Sequence, residues 1–189
     1  MANLGPAYYS PYPAATYEGV ITPPTGKALL YEDNVEEEVA MRDVAKQMLT
    51  RDNATIFPGP QVLYGWSEEA KKKATLIKEM AEVLNAKMIP MYDYRPKYPK
   101  INPEVEINPN HPNLTIWHND IKASIFIGVH CHYANVALKI IRSETDCYTA
   151  AMCSLAGHED AMATIRDQHP EDIAKFIEIA KEVKQEISK

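Results

Sequence analysis

The sequence predicts an α/β fold: a Rossmann-like parallel sheet with helices on both faces, preceded by an extended Pro/Tyr-rich N-terminal arm. Three observations predict it. From residue 54 onward, short apolar runs alternate with longer stretches of helical period, the pattern of a parallel sheet covered by helices. The run ASIFIGV at 123–129 is apolar apart from Ser124 and Gly128, as a strand buried on both faces requires. Residues 1–33 hold Pro6, Pro11, Pro13, Pro23 and Pro24 among Tyr8, Tyr9, Tyr12, Tyr17 and Tyr31. Proline fixes φ and lacks an amide donor, so this segment is neither a helix nor a central strand.

The arm, residues 1–33, is expected to run extended. Its tyrosine rings are costly to leave in water and suit an interface with a partner subunit or with the chain's own domain. Residues 34–189 are expected to form one domain. Val35–Leu49 has helical spacing and an acidic first turn at Glu36–Glu38, which suits the helix dipole. Ala54–Phe57 is a short strand ended by Pro58-Gly59-Pro60. Ser67 is a good N-cap for a helix running to about Ala86. Lys87–Tyr92 is a strand that Pro90 places near an edge.

Residues 93–113 form a long connection with Pro96, Pro99, Pro103, Pro109 and Pro112, a length typical of functional or partner-bound loops. Leu114–His118 is a short helix or strand, Ala123–Val129 a strand, Tyr133–Arg142 a helix and Asp146–Met152 a strand. Gly157–Arg166 reads as a short helix, with Glu159-Asp160 at its start. A last helix begins at Pro170, a favourable first position, with Ile173, Phe176, Ile177, Ala180, Val183 and Ile187 on one face.

A net charge of −6 over 189 residues, with Lys71-Lys72-Lys73 as the one dense basic run, disfavours nucleic acid as the main partner. No apolar stretch reaches the roughly 18–20 residues of a membrane span, and the N-terminus lacks signal-peptide character. Three cysteines, Cys131, Cys147 and Cys153, fit free thiols in a reducing cytoplasm.

Ligands of open α/β sheets sit beyond the carboxyl ends of the strands. Two loops occupy such positions, Pro58–Trp66 and Gly128–Tyr133. The candidate cofactor-binding residues are therefore Gly59, Pro60, Gln61, Ser67, Gly128, His130, His132 and Tyr133. No GxGxxG or GxxxxGK[ST] motif is present, and the two prolines remove amides from a phosphate cradle. No cofactor is assigned, with FAD or another nucleotide as the candidate class. His130-Cys131-His132 carries good metal-ligand types, with His118, Cys153 or His158 needed to complete a site. No CxxC or HxxxH spacing supports one, so no metal and no catalytic residue is assigned. A thiolate mechanism at Cys131 is the least favoured reading, because neighbouring side chains on an extended segment face opposite ways.

The run Ile125-Phe126-Ile127-Gly128-Val129-His130-Cys131-His132-Tyr133-Ala134-Asn135-Val136-Ala137-Leu138-Lys139, a buried strand ending in glycine, an aromatic turn and a mixed helix, resembles the CO dehydrogenase beta subunit/acetyl-CoA synthase epsilon subunit family. Thr55-Ile56-Phe57, Gly59-Pro60, the acidic helix start and Ile89-Pro90 extend the likeness over about residues 54–150. The resemblance implies a Rossmann-like, DHS-like NAD/FAD-binding domain that carries no metal cluster and packs on a large catalytic subunit. It implies an accessory subunit, structural or supporting electron transfer, of an anaerobic oxidoreductase complex. The Tyr/Pro arm and the His-Cys-His turn lie outside the family pattern. A thiamine-dependent 2-oxoacid:ferredoxin oxidoreductase is an equally compatible parent, and a flavin- or nucleotide-binding electron-transfer module is the alternative function.

Overall fold

The computed structural model describes residues 23–91, 111–153, 158 and 160–189. Seven strands form one sheet: β1 (Lys27–Leu30), β2 (Asp33–Glu36), β3 (Thr55–Pro58), β4 (Lys87–Met88), β5 (Ala123–Ile127), β6 (Tyr148–Met152) and β7 (Ala163–Ile165). Their spatial order is β2-β1-β7-β6-β5-β3-β4. β3 to β7 run parallel, while β1 lies antiparallel to both β7 and β2. Six helices are described: α1 (Glu37–Thr50), α2 (Pro60–Leu63), α3 (Glu68–Leu84), α4 (Pro112–His118), α5 (Cys131–Glu144) and α6 (Pro170–Ile187).

Alternation along each strand divides the core in two. Ile56, Ile125, Ile127, Ala150 and Met152 face one side, where Met41 and Val44 of α1, Ile77 and Met80 of α3, and Ile173 and Phe176 of α6 cover them. Phe57, Phe126 and Ala151 face the other, under Ile116 of α4 and Ala134, Leu138 and Ile141 of α5. The expected α/β sheet with helices on both faces is therefore present. β5 and β6 are buried along their whole length, as their unbroken apolar character requires.

Local chemistry sets the boundaries. β5 ends at Ile127 because Gly128 turns the backbone to φ +67, so the strand is shorter than 123–129. The Ser67 hydroxyl accepts the Ala70 N–H at 3.1 Å and caps α3. α6 starts at Pro170, and the Asp172 carboxylate accepts the His169 N–H at 2.9 Å.

Three expectations are corrected. The reading of 157–166 as a helix fails: β7 occupies 163–165, inserted between β1 and β6, and Asp160 lies in the preceding turn, within 3.5 Å of Arg142. The first long helix starts at Glu37 rather than Val35, which pairs with Ala28 in the hairpin. The sheet also takes in 27–33 of the segment assigned to the arm. The hairpin turns at Tyr31-Glu32, both at positive φ (51 and 74), and Tyr31 N–H donates to Met162 O at 2.7 Å. Tyr8, Tyr9, Tyr12, Tyr17 and all but the last three residues of the 93–113 connection lie outside the described residues.

Candidate functional site

Within the parallel part of the sheet the order β4-β3-β5-β6-β7 is the 2-1-3-4-5 order of doubly wound folds, whose switch point falls between the first and third strands. Here that is the gap between β3 and β5. It brings together the two loops singled out from sequence.

The gap is closed by backbone. Gly59 N–H donates to Ile127 O at 2.9 Å and Gln61 N–H to Gly128 O at 3.0 Å. A β-carbon on Gly59 would stand 2.4 Å from Gly128 O, and one on Gly128 would stand 2.8 Å from the Val62 methyl carbons. Both positions therefore need glycine. A third segment locks the pair. Gln168, buried after β7, accepts the Gly128 N–H on Oε1 at 2.9 Å and donates from Nε2 to Gln61 Oε1 at 3.1 Å. No local pattern marks Gln168 in the sequence, since its partners lie 40 and 107 residues away.

A dinucleotide phosphate at this switch point needs free, outward-pointing amides. Those of Gly59, Gln61, Val62, Leu63 and Gly128 already have protein acceptors, and Pro58 and Pro60 have none to offer. The Ser67 hydroxyl is taken by the α3 cap. The turn from Pro58 to Leu63 therefore offers no free amide to the phosphate of a flavin or nicotinamide dinucleotide, whereas the start of α5 carries no side-chain cap.

Beside this closed gap, α5 begins at Cys131 with His130 as its N-cap and no side-chain cap. His130 and His132 are exposed, and Tyr133 is half-buried. The two imidazoles approach with Nδ1 atoms 3.0 Å apart, and the His132 ring packs on Tyr133 at 4.5 Å between centroids.

The proposed completing ligands stay apart. His158 is buried and its Nδ1 meets Asn135 Oδ1 at 2.5 Å, burial pushing its imidazole down to about 4. Cys153 is buried. Among the described residues no three His, Cys, Asp or Glu side chains cluster. Cys147 is buried too, and desolvation pushes its thiol up to about 11, which makes it inert.

An aromatic pair that sequence reading missed stands on the same rim. Trp66 is 73% exposed, its indole N–H donates to Pro60 O at 2.9 Å, and Tyr64 meets it edge-on at 5.6 Å. Tyr31 is exposed as well, but it lies at the opposite end of the sheet, where β7 begins. It is not part of this site.

The fold defines a doubly wound α/β domain whose β3 turn is bound to the β5 loop by backbone, with exposed rings and imidazoles beside it among the described residues. A family model, CO dehydrogenase beta subunit/acetyl-CoA synthase epsilon subunit, matches residues 19–183. The chain belongs to that family. No curated protein matches it at a significant level. Among the described residues no helix is long and apolar enough to cross a membrane.

Proposed function

We propose that the chain is a non-catalytic accessory subunit of a CO dehydrogenase/acetyl-CoA synthase-type complex, docking a larger catalytic subunit through its strand-end rim. Trp66 carries the reading. Its ring faces solvent yet is tied to Pro60 O and braced by Tyr64. A large ring already held in place loses little freedom when a partner covers it, and tryptophan and tyrosine are the residues that most often dominate binding. Family membership supplies the kind of partner. A cytoplasmic setting and anaerobic redox metabolism fit this assignment, as do the free cysteines. A thiamine-dependent 2-oxoacid:ferredoxin oxidoreductase is the less favoured parent, since the family match speaks for the former. Native purification from the source is the test. The chain should elute with a larger subunit in fixed ratio; a lone 21.3 kDa monomer would refute the proposal.

The doubly wound order supports a second reading, a flavin- or nucleotide-binding electron-transfer module of the DHS-like kind. The occupied amides of the β3 turn and of Gly128 weigh against it. An absorption spectrum of the purified chain, alone and with added FAD, decides: a bound, shifted flavin band would revive this reading.

A further inference from the structure

We propose that His130 and His132 form a two-imidazole chelate for a divalent transition-metal ion, favouring Cu(II) over Zn(II), at the mouth of the β3–β5 switch point. Side chains two apart within a helix diverge by about 200°. Here His130 is the extended N-cap (φ −61, ψ 133) and His132 the second helical residue, so the change of conformation between them swings both rings to one side. Their Nδ1 atoms share a hydrogen bond of 3.0 Å, whose proton a metal ion would displace, and their ring planes meet at 66°.

Imidazole nitrogens sit about 2.0–2.1 Å from such metals. Two nitrogens 3.0 Å apart then subtend an angle of roughly 95° at the ion. That angle suits cis positions of a tetragonal ion, and the general order of stability places Cu(II) above Zn(II) at such a pair. The Tyr133 ring against His132 limits that imidazole's rotation, so part of the ordering needed for chelation is already in place.

Both imidazoles are exposed, which gives the ion access. No third His, Cys, Asp or Glu of the described residues joins them, so water fills the remaining positions. The positive end of the α5 dipole opposes a cation, but that effect is weak and screened at an exposed site. The other histidines, at 111, 118, 158 and 169, provide the background against which the pair is read.

The test is calorimetric titration of the metal-free full chain with Cu(II) and Zn(II) in a non-coordinating buffer, with electron paramagnetic resonance of the copper form. The expected result is one tightest Cu(II) site per chain with nitrogen splitting from two imidazoles, Zn(II) binding the same pair more weakly as the general order requires. His130→Asn and His132→Asn should each weaken that site about tenfold or more while circular dichroism stays unchanged, and Cys131→Ser should leave it intact. Asparagine is a good N-cap, so the first variant keeps the helix start. Equal Cu(II) binding by both variants would mean an adventitious ion only and would overturn the proposal. So would a copper spectrum with sulfur coordination lost in Cys131→Ser.

Discussion

Gly59 and Gly128 face each other where the chain leaves β3 and β5, and neither has room for a methyl group. Gly59→Ala sets a β-carbon against backbone, which cannot rotate away, and should destabilise by about 3 kcal/mol or more. Gly128→Ala adds left-handed strain to overlap with Val62 and should cost about 2–4 kcal/mol. Urea unfolding measures both. His158 gives a pH signature. Its pKa falls from the ordinary 6.5 to about 4 through burial, so the unfolded chain binds the extra proton first. Stability should be full above pH 6.5 and decline by about 3 kcal/mol as pH falls toward 4. His158→Gln should flatten that part of the curve; an unchanged slope would show that other groups govern it. The glycines were readable as loop residues in the sequence. Their mutual contact was not, because 69 residues separate positions that meet only when β3 and β5 pair.

Legibility at the scale of elements followed length and period. α3 and α6 span 17 and 18 residues with clear apolar faces and chemical start signals at Ser67 and Pro170, and both were placed from sequence. β7 has three residues, too few to display a period, and its burial comes from β1 and β6 on either side. The β1–β2 hairpin was hidden because its turn uses Tyr31-Glu32 at positive φ in place of the usual Asn-Gly pair. The segment after β7 also supplies Gln168, which joins the loops of β3 and β5. Gln168→Ala leaves the buried Gly128 N–H without its acceptor and should cost about 1–3 kcal/mol. Hydrogen exchange should then quicken at Gly128 and Gln61 together, whereas a change at Gly128 alone would show that the clamp does not couple the two loops.

Among the described residues, two core layers hold a sheet whose β3 and β5 loops are bound together by backbone, with a rim of exposed rings and imidazoles beside them. The α/β class was legible because alternating apolar runs dictate it. The rim was half legible: the loops were placed, but Trp66 was passed over because nothing local shows that its ring points outward and is held by Pro60 O. Docking of a partner by that rim is the central claim. The direct measurement is the dissociation constant of the purified chain for the large catalytic subunit of the proposed CO dehydrogenase/acetyl-CoA synthase-type complex, for wild type and Trp66→Ala. A stable complex is expected, which Trp66→Ala weakens about 30-fold, the loss of a hot-spot ring worth about 2 kcal/mol. No measurable association of the wild-type chain, or equal affinity for both proteins, would contradict it.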